Sequence, residues 1–209
     1  MAREAPDTIR PMQVRELAVP GAFEFTPRQH GDDRGLFLEW FKVEELQAAV
    51  GHPLTLAQAN LSVSRAATLR GVHFADVPPG QAKYVTCPAG AVLDFIVDIR
   101  VGSPTFGATD VVRLDGKDRR AVYLSEGLGH AFLALEDNST LTYLCSTGYS
   151  PGREHGINPL DPALGLALPD GVDFLLSDKD RDAPTLAEAA ESGLLPTWDA
   201  CQAYVATLA

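Results

Sequence analysis

Between Leu54 and about Tyr149 the chain alternates short apolar stretches with turn residues. "LTLAQANLSVS", "AKYVTCPAG", "AVLDFIVDIR", "TDVVRLDGKDRRAVYLSEG" and "AFLALEDNSTLTYLCS" are bounded by Gly, Pro, Asp or Asn, and runs of this kind read as strands of a sandwich or barrel. In "AVLDFIVDIR" acidic and apolar positions alternate, which predicts a strand with one buried and one wetter face. Helical periodicity is scarce before residue 180. "VEELQAAV" (Val43–Val50) offers one short amphipathic helix, ended by Gly51 and followed by Pro53. In the tail the period changes: "APTLAEAAESGLLP" sets Thr185 as an N-cap with Glu188 three residues later, a capping box, and Gly193 and Pro196 stop that helix. "TWDACQAYVATLA" reads as a final helix. Strands first and helices last predict an all-β fold, an antiparallel barrel with short C-terminal helices. The boundaries expected are a polar leader over residues 1–11 and one domain over 12–209, with a helical annex from about 184.

Composition narrows the function classes. At 209 residues, with 45% hydrophobic and 22% charged side chains, the chain can build a sizeable core without staples. No apolar run approaches the ~20 residues of a membrane span, and the N-terminus carries no apolar signal segment. The three cysteines, Cys87, Cys145 and Cys201, are widely spaced and form no C-x-x-C pair, which argues against a disulfide framework or structural zinc and makes the cytoplasm the expected compartment. A net charge of −11 disfavours nucleic acid as a partner. A small anion is still compatible with that charge where arginines and lysines converge locally.

One stretch departs from ordinary strand chemistry. "LRGVHFADVPPGQAKYV" holds Arg70, His73 and Lys83 among residues that otherwise read as sheet and turn. Strand alternation sends Arg70 to the side opposite His73 unless the strand is bulged. The Pro78-Pro79-Gly80 turn then brings the chain back, so that Lys83 can lie across a hairpin from His73. A histidine and a lysine sharing a barrel interior are costly unless something anionic visits; the plainer alternative is a lysine snorkelling to the rim beside a hydrogen-bonded core histidine. Of the five histidines, His30 and His52 carry only a structural reading, and His130 precedes an apolar strand. Tyr143 and Tyr149 would by themselves be read as strand packing. No H-x-H pair occurs, which argues against a metal-binding barrel.

Taken together, "LRGVHF…PPGQAKYV", "VLDFIVDIRVGSPTFG", "VYLSEGLGHAFLAL", "LTYLCSTGYSPGREHGINPLDPALGLALP" and "LLSDKDRDAPTL" closely resemble the dTDP-4-dehydrorhamnose 3,5-epimerase family, cupin-fold sugar-nucleotide epimerases, across about Met12 to Tyr204. The resemblance implies a cupin or jelly-roll barrel and a cofactor-independent, metal-free isomerase acting on a dTDP-linked 4-keto-6-deoxy sugar. It implies His73 as base, Asp180 as its carboxylate partner, Tyr143 as proton donor and Lys83 as partner of the enolate. Substrate contacts carry over to Arg34, Phe37, Glu39, Gln58, Asn60, Arg70, His130, Tyr149, Glu154 and Arg181, with Arg34 and Arg181 on the diphosphate. The family is homodimeric with first-strand residues reaching the partner's site, which implies that Arg34 acts in trans. One departure stands out: the family's "HGF" is "HAF" here, and an added methyl at Ala131 beside the pocket is expected to bear on which carbon is inverted. Single-site 3- or 5-epimerases of secondary-metabolite pathways share this wording. A non-catalytic sugar-nucleotide-binding cupin is the rival of another class; it has no need of a full acid–base set.

Overall fold

A computed structural model describes residues 12–209, and the leader expected over residues 1–11 lies outside the described residues. The strands in chain order are β1 (Gln13–Glu16), β2 (Ala22–Thr26), β3 (Gln29–Asp32), β4 (Gly35–Leu38), β5 (Gln58–Ser64), β6 (Leu69–Ala75), β7 (Lys83–Ala89), β8 (Ala91–Val97), β9 (Thr109–Asp115), β10 (Ala121–Leu124), β11 (Gly129–Ala134), β12 (Ser139–Cys145) and β13 (Glu154–Gly156). The helices are α1 (Val43–Val50), α2 (Asp178–Arg181), α3 (Leu186–Glu191) and α4 (Trp198–Val205). A six-stranded sheet ordered β1-β2-β10-β7-β12-β5 faces a five-stranded sheet ordered β13-β6-β11-β8-β9, and β3 and β4 form a separate two-stranded sheet. All strand pairs are antiparallel. This is the expected all-β barrel with a helical tail.

Three apolar layers hold it together. Side chains from both sheets, among them Val85, Cys87, Val92, Ile96, Val122, Phe132 and Leu141, fill one end of the barrel interior. Phe95, Val97, Leu133 and Ala131 line the outer face of the five-stranded sheet, where Ile157, Leu164 and Leu186 cover them. Helix α1 lays the fully buried Leu46 against Phe25, Tyr84 and Tyr123 on the outer face of the other sheet, a burial that contributes roughly 1.5–3 kcal/mol. Both faces of the central strands are therefore covered, and β8 is buried throughout except for a partly exposed Leu93. The wetter face expected for "AVLDFIVDIR" does not exist: Asp94 and Asp98 are both fully buried and are held by His130 and Arg100 respectively.

The tail follows its local signals. Thr185 and Glu188 form the reciprocal capping box, Gly193 follows the end of α3 at φ +70°, and Thr197 caps α4. Among the described residues no helix is long and apolar enough to cross a membrane.

Candidate active site

The strand that carries His73 is bulged. His130 of β11 pairs with His73 and Phe132 with Arg70, so Gly71 and Val72 together oppose Ala131 alone. The extra residue turns Arg70 and His73 to the same, inward face, which strict alternation would have separated. Gly71 makes this possible: it sits at φ +112°, and a side chain there would meet the His130 carbonyl and the Ala131 backbone.

His73 is then fixed from the tail of the chain. Its Nε2–H donates to Asp180 Oδ1 at 2.6 Å. Asp180 is the buried residue of the four-residue helix α2, whose N-cap Ser177 accepts from the Asp180 backbone N–H at 3.1 Å. Burial by itself would raise the Asp180 carboxyl, but His73, Ser177 and the Gly71 N–H outweigh it and hold the group below the usual carboxylate range. With Nε2 committed as a donor, His73 keeps Nδ1 as a free lone pair.

Tyr143 comes from the opposite sheet. On β12 it pairs with Val85 of β7 and Asn60 of β5, and it packs on the interior cluster. Burial raises its phenol above the ordinary value, while the Ser62 hydroxyl and the Arg70 charge pull the other way. One step along, Cys145 pairs with both Lys83 and Gln58, so these side chains share the same inward face. Burial lowers the Lys83 ammonium below the usual lysine value, against the opposing pull of Cys145, Glu154 and Asp94. Lys83 therefore faces His73 across the barrel; the hairpin expected between them is absent, because β6 and β7 belong to different sheets.

His130, inside β11 rather than before it, donates from Nε2 to the buried Asp94 at 2.7 Å. Asp94 was not singled out from the sequence. Its signal was an acid in a strand otherwise made of Ala, Val, Leu, Phe and Ile. Gln58 Nε2 donates to Asn60 Oδ1 at 2.7 Å, and Gln58 Oε1 accepts from the Tyr149 N–H at 2.8 Å. Glu154 accepts from the Ser150 N–H at 3.2 Å, and Arg181 follows Asp180 at the rim, paired with Asp178 at 2.8 Å. A hollow of about 330 Å³, lined in part by Ser64, Arg70, Ser177 and Asp180, opens beside this group.

Three expected substrate contacts are not brought here. Arg34 and Phe37 lie on the β3–β4 hairpin rather than on the first strand, with Arg34 89% exposed and paired to its neighbour Asp32. Glu39 follows the hairpin and pairs with Lys42 at 3.5 Å. Ala131, expected beside the pocket, points the other way: it is buried in the outer layer, and its Cα and Cβ stand where a side chain at Gly71 would go.

Residues 16–188 match the family model for dTDP-4-dehydrorhamnose 3,5-epimerase. The chain belongs to the dTDP-4-dehydrorhamnose 3,5-epimerase family. It is 58% identical to the dTDP-4-dehydrorhamnose 3,5-epimerase of Mycolicibacterium smegmatis over 94% of this chain and 97% of that one. The rmlC epimerase of Mycobacterium tuberculosis superposes with a TM-score of 0.92 at 54% identity, covering 95% of this chain and all (100%) of that one. ChmJ, a 3'-monoepimerase from Streptomyces bikiniensis solved with dTDP-quinovose, superposes at 0.89 with 52% identity, covering 92% and 97%. Within this chain, His73 and Tyr143 project from facing sheets into the barrel interior.

Proposed function

We propose that this epimerase inverts C3, C5 or both in a dTDP-linked 4-keto-6-deoxyhexose, with His73 as base and Tyr143 as acid. The supporting observation is that the two side chains enter one barrel interior from its two opposing sheets. A C–H bond beside the C4 ketone is acidified because the electron pair left behind delocalises onto the C4 oxygen. Nδ1 of His73 takes that proton, and Asp180 stabilises the imidazolium that forms. Lys83 supplies positive charge toward the developing enolate oxygen. The Tyr143 phenol returns a proton to the opposite face of the carbon, and the configuration is inverted.

The nucleotide end is argued from charge and from the hairpin. Arg70, on the inward face of β6, and Arg181, next to Asp180 on α2, supply cationic groups that suit a diphosphate on a chain of net charge −11. Arg34 and Phe37 are presented outward on a hairpin, which suits delivery to the site of a second copy. The edge strand β5 supports a homodimer further: it turns polar residues inward and leaves Leu61 65% and Val63 53% exposed on its outer face. A groove of about 520 Å³ runs along that face beside Leu38 and Trp40 at the hairpin base.

Incubation with dTDP-4-keto-6-deoxyglucose, followed by NMR of the ring protons, tests the reading and identifies the carbons that react. Inverted product is expected without added cofactor. Tight binding of the sugar nucleotide with neither inversion nor solvent exchange would make this a binding protein instead.

A further inference from the structure

All four inward positions of β5 are polar: Gln58, Asn60, Ser62 and Ser64. Three have clear duties. Gln58 holds Asn60 and the Tyr149 backbone, Asn60 donates to Cys145 Sγ at 3.7 Å, and Ser64 accepts from Arg70 Nε at 3.3 Å. Ser62 is the exception, since its hydroxyl is sealed from water and makes no hydrogen bond. An unpartnered buried hydroxyl is unfavourable, and an alanine or valine would pack the same position without that cost.

Its surroundings supply a reason. Ser62 pairs with Leu141 and Asn60 with Tyr143, so Ser62 lies diagonal to Tyr143 on the same face, within reach of an aromatic side chain. The serine hydroxyl lies near enough to the phenol to favour its ionised form, as a donor to a phenolate oxygen does, without completing a hydrogen bond to it. Catalytic hydrogen bonds that are open in an empty site close when the substrate is bound.

We propose that Ser62 is the positioning residue of the acid: with sugar bound, its O–H engages the Tyr143 oxygen and fixes the phenol against the face of the ring opposite His73. Proton transfer breaks the phenol O–H bond and forms the new C–H bond, and Ser62 and Arg70 hold the phenolate until solvent reprotonates it. Ser62 then governs a partition. The enolate either regains a proton from His73 on its original face or receives one from Tyr143 on the other. The inference rests on Tyr143 being the acid.

The test follows turnover of dTDP-4-keto-6-deoxyglucose in D2O, separating deuterium in recovered substrate from deuterium in inverted product. Ser62→Ala is expected to keep total exchange within about twofold of wild type while the inverted-to-exchanged ratio falls about tenfold, the scale of one lost hydrogen bond. Ser62→Thr, which keeps the hydroxyl, is expected to restore the ratio, and the high-pH limb of inversion should move upward in Ser62→Ala. Ser62→Cys, close to serine in volume and a weak donor, gives the same reading where the alanine variant does not fold. A wild-type ratio in Ser62→Ala, or equal loss in the Ala and Thr variants, overturns the role of Ser62. Normal inversion by Tyr143→Phe, run alongside, would instead overturn the assignment of the acid.

Discussion

His73 Nε2 and Asp180 Oδ1 are 2.6 Å apart although 107 residues separate them. The pair joins a bulged strand of the barrel to a single turn of helix near the end of the chain. Replacing the carboxylate by an amide keeps the shape and removes the charge. Asp180→Asn is therefore expected to slow turnover by roughly 10²–10⁴-fold with little change in KM, because the imidazolium loses its partner. The carboxyl lies below its ordinary range in the folded protein, so its stabilisation is present above the unfolded-state pKa and is lost as pH falls through the lower folded value. Urea midpoints of wild type and Asp180→Asn should accordingly converge as the solution is acidified.

Glu126 shows the opposite linkage. It is buried, with Oε1 accepting from Ser146 at 3.2 Å and Oε2 without a partner. Burial raises its carboxyl above the ordinary value, against weaker opposition from its own backbone, Ser146, His52 and Ala82. The stability contributed by the neutral acid is complete below the unfolded-state pKa and lost as pH rises through the folded one. Glu126→Gln is expected to melt higher than wild type at pH 8 and to lose that advantage by about pH 4, near the unperturbed carboxylate pKa, as scanning calorimetry across that range would record.

Ala131 lies on the face of β11 away from the barrel interior, next to Gly71. Ala131→Gly is expected to leave the ratio of C3 to C5 inversion unchanged, while costing about 0.5–1 kcal/mol for a glycine in a strand interior. Product NMR and a denaturation curve measure the two effects separately. A shifted product ratio would mean that the outer layer acts on the ring through the Gly71 bulge.

The exposed hairpin leads to a complementation experiment. Arg34→Ala and His73→Ala chains are each expected to be poorly active alone. Mixed and allowed to exchange subunits, they should recover turnover, because one site of each heterodimer then combines an intact His73 with an intact Arg34 from its neighbour. No recovery, with exchange verified by native mass spectrometry, would place Arg34 outside the site.

What could be read from the sequence divides along the range of the interactions. The capping box at Thr185 and Glu188, the helix Val43–Val50 and the strand-rich middle were legible because their signals lie within a few residues. The motif blocks around His73, Tyr143 and Asp180 pointed to a chemistry without supplying its geometry. Which sheet Lys83 joins depends on pairing with β10 and β12, and the Arg70–His73 alignment depends on a bulge set by register against β11; neither is a local property. Asp94 was hidden for a related reason: its alternation looked like a solvent-facing strand, and only the second covering layer makes it a buried partner for His130. The β3–β4 hairpin carried no strand signal of its own, and its Leu36 and Phe37 remain exposed in the folded chain.

Site-resolved deuterium wash-in measures most directly whether imidazole removes a proton from one face of a sugar carbon and phenol returns one to the other. With dTDP-4-keto-6-deoxyglucose in D2O, His73→Ala should lose essentially all exchange at the reacting carbons, whereas Tyr143→Phe should continue to exchange without inverting. Wild-type exchange in His73→Ala, or wild-type inversion in Tyr143→Phe, would contradict the account.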